Sequence, residues 1–581
     1  MKIKKGILLL SLCALLPLSG CASNSCDDNE VICPVDEDEK LITPREYEDK
    51  DKTSPVYSGE EVLVTSIKKN ENGDTYIEYN GLPLAYRGVQ IRTDAFMNTD
   101  KWSEEDLEVL FKSAKETGFN LVEVPLEWAD VEIEKDVFDF YYVFKVLEYA
   151  RKYDLKVEFL WFGTNMCGDT HSYTVPDYIL RDGKTYPKFD APRTGEFWSY
   201  YGIMWYLDFS NPNLLQREGN ALTKVLDFIY DYDSTHGATK SVVGFQVHNE
   251  ADIFARWRIF TNGKEVIDPS TKEVFKKEDA FKHVFKALDN LGKTIKSHKY
   301  KVITRCNIAT GTKGDADGEY SGIYENSGEL KTIRSFIKEM QSLEGIDIVG
   351  DDSYNATLKD NKGILMMYKN QLSDNYPHIA ENDGNYQNTP SLLITSAVVN
   401  GGYLVYELAT SPFFKKNNAS DIDQGIYSVN ADKTLTPKKH ESSIKDALSI
   451  LNLASTPLGL AKNGNILGFN LKTDSPLKVT NQTINSENIS VNVNIDNSAI
   501  GYAVDYKNSL YLSFSDDVTV SFENATIKNV ETGIYNEANF VKDDSVTLSS
   551  SYSIKGKKLY KFDYENVLSP LVSNALSMVG E

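Results

Sequence analysis

Basic residues are scarce relative to acidic ones. Across 581 residues, 62 Lys and Arg stand against 85 Asp and Glu, a net charge of −23, and no local basic cluster offsets it. A surface of that sign repels a phosphate backbone, so nucleic acid is excluded as a partner. Cysteine and histidine are also few, six and seven, and none has the spacing that zinc requires. No structural or catalytic metal is indicated. Internal repeats are missing. With 41% hydrophobic and 25% charged residues, the composition argues against both wholesale disorder and a polytopic membrane protein. The length allows about three domains, or one large domain with a smaller partner. Aromatics are plentiful, with 34 Tyr, 26 Phe and 6 Trp. That suits a large core or a sugar-binding cleft, and composition does not separate the two.

The N-terminus reads as an address. Lys2, Lys4 and Lys5 precede an apolar run from Ile7 to Leu16, too short for a stop-transfer helix. Leu18-Ser19-Gly20-Cys21 then resembles the lipobox of a bacterial lipoprotein. The resemblance implies a signal peptide over 1–20 and a lipidated Cys21 that anchors the chain to a membrane outside the cytoplasm, at the cell surface or the periplasmic face. An ordinary secretory leader with a chance cysteine is the alternative, and it also implies export. Removing the leader takes three lysines and no acid, which moves the charge from −23 to −26. Residues 21–60 are acidic and aperiodic, and are expected to be a solvated tether. Cys26 and Cys33 could close a small loop in an oxidising compartment, whereas Cys167 and Cys306 are expected to be unreactive thiols.

From about residue 80, short apolar runs alternate with amphipathic ones. Strand candidates are 83–91, 120–126, 155–162, 241–247, 301–307, 346–350, 376–380 and 402–408. Helices are expected between most of them, at 107–117, 142–153, 212–233, 279–298, 329–342 and 390–400. Ser103 to Asp106 offers a capping box for the first of these helices and Gly118 a C-cap. Eight strand–helix units predict a closed (β/α)8 TIM barrel over 61–457. A doubly wound open sheet is the rival, but no Gly-rich phosphate turn or P-loop supports it. Beyond 458, segments such as SLYLSF and DVTVSF alternate apolar and polar residues between Asn, Ser, Gly and Asp. Residues 458–581 should therefore form an antiparallel β-sandwich domain. No long linker precedes it, so it should dock on the barrel.

Functional groups of a barrel sit at the carboxyl ends of its strands. Reading only those positions selects Glu127-Trp128, Trp161 with Asn165 beyond it, His248-Asn249-Glu250, Arg305 and Asn307, Asp351 to Tyr354, Glu381-Asn382-Asp383 and Tyr406-Glu407. The set is rich in carboxylates and holds no Ser–His–acid combination. Two carboxylates across a barrel mouth are what glycosidic bond cleavage needs, one as acid and one as nucleophile or base. Strands four and seven lie roughly opposite, which pairs Glu250 with Glu381.

These residues carry a resemblance to the clan A glycoside hydrolases, in particular the β-galactosidase families 35 and 42. VVGFQVHNEAD (242–252) resembles their strand-four signature, and NLVEVPLEWADVEIEKDVFDF (120–140) their strand-two segment. VPDYILRDGKTYP (175–187) and YLDFSNPNLLQRE (206–218) resemble the loop and helix entry before strand four. The resemblance implies that Glu250 is the acid/base, Glu381 the nucleophile, and Asn249 the ligand of a sugar hydroxyl. It also implies that Tyr354 hydrogen-bonds the nucleophile, with Arg92 and Asn307 lining the cleft. The sequence departs from those families at His248, where they often have Glu, and at Tyr406-Glu407, where the clan commonly carries a Trp platform.

Several readings stay open at this point. Glu407 also ends a strand and is the alternative nucleophile, or else a substrate ligand. Trp128 and Trp161 are sugar platforms or barrel-top core. His248 is read as a packed, hydrogen-bonded ring, and Asp351 and Asp352 as loop carboxylates or substrate contacts. The expected activity is retaining hydrolysis of β-linked oligo- or polysaccharides, β-galactosidase-like and without a cofactor. A carbohydrate-binding lipoprotein that holds glycan without cutting it is the rival. Oligomeric state is not legible.

Overall fold

The computed structural model describes residues 43–166, 174–189, 207–208, 210–251, 265–308, 313–314, 320–321, 338–354, 356–357, 362, 364–366, 375–412, 423–471, 482–485, 489–495 and 498–566. The leader, Cys21, Cys26, Cys33 and Cys167 lie outside these residues, as do Trp198 and Trp205 and most of the helix expected at 329–342. Cys306 is a buried free thiol.

Eight parallel strands close a barrel: β1 (Arg87–Gln90), β2 (Leu121–Glu127), β3 (Lys156–Met166), β4 (Val242–Asn249), β5 (Ile303–Ile308), β6 (Ile348–Asp352), β7 (His378–Asp383) and β8 (Gly402–Tyr406). Each pairs with the next in chain order, and β8 closes on β1. Burial on both faces explains why they read as short continuous apolar runs rather than alternating ones. The outer layer includes α1 (Glu108–Thr117), α2 (Tyr141–Lys152), α3 (Pro212–Thr235), α4 (Lys277–Ser297) and α5 (Thr389–Val398). Local chemistry sets several ends. Ser103 and Asp106 cap each other's backbone N–H groups ahead of α1, and Gly118 terminates it at φ 103°. Asn211 Oδ1 accepts from the N–H groups of Asn213 and Leu214 at 3.0 and 3.3 Å, with Pro212 at the first helical position of α3.

The amino-terminal mouth of the barrel is plugged. An antiparallel hairpin (Thr65–Lys69 and Thr75–Tyr79) places Ile77 in one cluster with Tyr86, Leu121, Val243, Ile303, Ile348 and Leu404. Thr65 Oγ1 ties the hairpin to the barrel by donating to Val243 O at 2.6 Å and accepting from Ile303 N at 3.0 Å. The opposite, carboxyl-terminal mouth carries the polar residues.

Of the stretch expected to be a solvated tether through residue 60, the described part begins at residue 43 and is exposed at most positions, yet it lies against the barrel's outer helices. That stretch runs along α2 and α3. Tyr47 stacks on Phe144 with ring centroids 4.4 Å apart, and Tyr57 donates to Asp233 at 2.9 Å. Asp51 pairs with Arg151, and Asp49 meets His236 at 3.0 Å. The two tyrosines and the Asp51–Arg151 pair hold this acidic segment against the helices while most of its residues remain exposed.

The C-terminal region is a sandwich of two antiparallel sheets. One has six strands, in the order 466–469, 501–506, 509–514, 559–566, 525–536, 539–545; the other has four, 482–485, 490–494, 518–523, 552–554. Leu510, Leu512 and Phe514 face its own core, whereas Tyr502, Val504 and Tyr511 on the other face join the barrel's core. Period-two alternation thus serves two apolar surfaces here. Tyr502 Oη also donates to Ile450 O at 2.9 Å, in the helix α6 (Glu441–Asn452) that packs against α1 and α5. Tyr502→Phe should cost about 1 kcal/mol, the value of one hydrogen bond. Tyr502→Ala should cost about 3–5 kcal/mol, because a buried aromatic is lost. Chemical denaturation measures both, and equal losses would contradict a docked sandwich.

Candidate functional site

Strand periodicity alone would misplace the site residues, and two irregularities correct it. In β4, Gly244 and Gln246 face the barrel interior, Gln246 accepting from Arg305. At Val247–Asn249 the register against β3 shifts, and His248 takes a left-handed φ of 59°. Its ring turns outward to α3, where Nε2 lies 2.7 Å from Glu218 Oε1. Asn249 turns inward, and its Oδ1 accepts from Gln246 Nε2 at 3.0 Å and Asn307 Nδ2 at 2.8 Å. Glu250 follows with φ 45° and donates its backbone N–H to Asn307 Oδ1 at 2.8 Å. A bulge of this kind re-aims a side chain at the end of a strand.

The second irregularity lies in β7. His378 and Ala380 share the face that Gly350 of β6 approaches. The register shifts between Ile379 and Asn382 against β8, and β6 pairs Asp351 with Ile379 but Asp352 with Glu381. Glu381 is thereby clamped from two sides. Tyr354 Oη donates to its Oε2 at 2.6 Å and Gln90 Nε2 to its Oε1 at 3.2 Å. Tyr354 sits at φ 43° beyond β6, with its ring 5.8 Å from that of Tyr406. Tyr406 Oη accepts from Arg92 Nη1 at 2.9 Å, and Arg92 is held in turn by Asp94 at 2.7 Å. Contacts therefore link Arg92, Tyr406, Tyr354, Glu381 and Gln90 on one side of the mouth, and Asn249, Glu250, Asn307 and Asp352 on the other.

Below this rim lies a buried charged layer. Arg305 Nε donates to Glu158 at 2.8 and 2.9 Å, and its other nitrogens meet Glu123 and Gln246. Burial pushes the Glu158 carboxyl up to about 8. Burial also raises Glu381 above its ordinary value, although Tyr354, Gln90, Arg92 and Arg305 oppose that. Asp352 is driven well above the carboxylate range by burial and then by Glu381, Glu250 and Asp351. Glu218 behaves in the opposite way. Burial works against its charge, but His248, Thr164 and Trp161 outweigh burial and hold it below its ordinary value.

The fold bears on two readings that the sequence left open. Trp128 and Trp161 are fully buried and donate to Glu132 and Glu218, each at 2.9 Å. Neither offers a ring face to a sugar, and both are packing residues. Glu407 is buried one residue beyond β8, joined to Tyr406 by a cis peptide. The strand order leaves Glu381 on the seventh strand and Glu407 after the eighth. Gln90 and Glu218 were missed from sequence. Gln90 had a signal, since it ends the inward series Tyr86, Gly88, Gln90 of β1. Glu218 lies on a helix, where no strand-end rule would find it. Gly163 marks its approach, because a Cβ there would overlap Glu218 Oε1.

A family model described as a domain of unknown function (DUF4978) matches residues 283–476, from α4 to the first strand of the sandwich. No match is found among curated proteins. Among solved structures, the chain is similar to a β-glycosidase at 14% identity and TM-score 0.42, over 62% of this chain and 95% of that one. It is similar to a GH30 endoxylanase from Clostridium papyrosolvens at 10% identity and TM-score 0.40, over 84% and 98%. An endo-1,4-β-mannanase from Rhizomucor miehei follows at 12% and 0.41, over 67% and 99%. The architecture itself rests on the strand pairing described above.

The Glu218–His248 pair yields a prediction with a definite sign. The folded pKa of Glu218 lies below its unfolded value. Its stabilisation is therefore full above the ordinary carboxylate range and is lost as pH falls through the folded value. Urea midpoints taken from about pH 7 to about pH 3 should fall less steeply for Glu218→Gln than for the parent. Glu218→Ala should cost about 3–5 kcal/mol, because it strands buried donors. Parallel pH curves for parent and Gln variant would refute the coupling.

Proposed function

We propose that this protein is a retaining glycoside hydrolase acting on β-linked oligo- or polysaccharides at the carboxyl-terminal mouth of its barrel. The observation that carries this reading is the placement of Glu250 and Glu381 beyond and within the fourth and seventh strands, with Glu381 held by Tyr354 and Gln90. The resemblance of the 120–140, 175–187, 206–218 and 242–252 segments to clan A supports it. Glu381 attacks the anomeric carbon as its carboxylate, oriented by the Tyr354 hydroxyl and the Gln90 amide. Glu250, half-buried at the rim, gives its proton to the departing glycosidic oxygen. It then takes a proton from the water that releases the covalent glycosyl-enzyme. Asn249, oriented through its carbonyl oxygen by Gln246 and Asn307, is the residue that meets a sugar hydroxyl, as the clan A resemblance implies. Arg92 and Asn307 hold the two sides of the site in place. No cofactor enters the scheme.

The lipobox supports attachment of the mature chain to a bacterial membrane through Cys21. The acidic field disfavours anionic polysaccharides, so neutral sugars are the substrates to test, with β-galactosides among them.

A panel of aryl β-glycosides and neutral oligosaccharides tests the reading on the soluble chain from residue 43. Glu381→Ala should abolish turnover. Glu250→Gln should lose about 10²–10⁴-fold on an unactivated disaccharide and much less on an aryl glycoside whose leaving group needs no acid. Turnover that survives Glu381→Ala would move the nucleophile to Glu407. Silence across the panel with glycan still bound would favour the non-catalytic binding protein. In the full-length chain, Cys21→Ala should shift the protein from the membrane fraction to the soluble one.

A further inference from the structure

The two-carboxylate scheme leaves Asp352 without a role, yet this residue touches both halves of the site. It ends β6 and is 1% exposed. Its Oδ2 accepts from Asn307 Nδ2 at 2.7 Å. The same nitrogen donates to Asn249 Oδ1 at 2.8 Å, while Asn307 Oδ1 accepts the Glu250 backbone N–H, also at 2.8 Å. Across the sheet, Asp352 is in register with Glu381. Its second oxygen, Oδ1, is buried with no hydrogen-bond partner among the described residues.

The charges around this carboxyl are unequal. Glu381 faces it from β7, Glu250 from the end of β4 and Asp351 from its own strand, with Arg305 of β5 as the opposing cation. Arg305 is already engaged by Glu158 and Glu123. The phenol of Tyr354, also close to Asp352, donates to Glu381 instead. An ionised carboxylate with one oxygen unpartnered among like charges is far costlier to bury than a neutral acid. Glu381 is better provided for. It accepts two hydrogen bonds and feels Arg92 as well as Arg305. If the register pair keeps one proton, that proton belongs on Asp352.

We propose that Asp352 is a positioning residue that rests as a neutral acid, anchoring the Asn307 amide under Asn249 and Glu250 and leaving Glu381 as the ionised carboxylate. The catalytic part of this assignment rests on the reading of Glu381 as nucleophile; the placement of the proton does not.

Infrared difference spectroscopy of the full soluble chain near neutral pH tests the proton directly. The parent-minus-Asp352→Asn difference should contain the carbonyl stretch of a protonated buried carboxyl, the contribution of Glu158 cancelling in the subtraction, and Asp352→Glu should retain that band. Asp352→Leu serves for the same subtraction should the Asn variant fail to fold. In kinetics, Asp352→Asn keeps a neutral group that still accepts from Asn307. It should therefore stay within a few-fold of the parent, with the acid limb of kcat/KM unmoved. Asp352→Ala should lower kcat by about 10²-fold with little change in KM, because the Asn307 anchor is lost. An unchanged infrared band, or an acid limb that moves down by about a unit or more when Asn removes a negative charge, would overturn the proposal. The spectroscopic readout needs no substrate. A panel without turnover would thus end the hydrolase reading alone, and a missing band would end the proton assignment alone.

Discussion

One guanidinium inside the barrel sets the charge balance on which the rest depends. Arg305 is fully enclosed and binds Glu158, Glu123 and Gln246 from three neighbouring strands. Burying an ion costs several kcal/mol, and only well-made hydrogen bonds to opposite charge offset that. The same cation faces Asp352 and Glu381 above it. With Arg305 committed to Glu158 and Glu123 and Arg92 to Asp94, the acids outnumber the cations here and some of them hold protons at neutral pH. Burial raises Glu158, Asp352 and Glu381 alike, so the protonation of the mouth is a collective property of the interior. Removing Arg305 would therefore change more than one ion pair.

Backbone irregularity does the rest of the positioning. A regular β4 would send His248 inward and Asn249 outward, and a regular β7 would turn Glu381 away from the face used by His378 and Ala380. The register shifts near Asn249 and Glu381, with left-handed φ at His248, Glu250 and Tyr354, reverse those directions. Non-glycine residues in that region carry a cost, and such residues cluster at functional sites. Here three of them surround one mouth. The outward turn of His248 also explains its pairing with Glu218, which fixes the end of β4 to the helix that precedes it.

Much of the architecture was legible because it is local. The eight apolar runs and the intervening amphipathic segments gave the barrel, and period-two alternation beyond residue 458 gave the sandwich. Glu250, Glu381, Asn249, Asn307 and Tyr354 were reached by looking only at strand ends and Arg92 through the clan A resemblance, and the structure gathers them at one mouth. What stayed open has physical reasons. Trp128 and Trp161 stand beside polar strand ends, which fits a sugar platform or core; packing encloses both, and Glu132 and Glu218 satisfy their indole N–H groups. The segment from 43 to 60 was read from its acids and is largely exposed; what the acids do not announce is that Tyr47, Tyr57 and the Asp51–Arg151 pair hold it against helices far along the chain.

The sequence by itself determined which segments alternate, where the helices start and stop, and which residue types stand at the strand ends. Those features depend on neighbours a few positions away, through periodicity and capping. Tertiary structure alone decided which way each end residue points, which carboxyl faces Arg305, and where the protons rest. Those depend on groups brought together from strands tens to hundreds of residues apart in a medium that excludes water, and Coulomb energies there are large enough to reverse a group's ordinary ionisation.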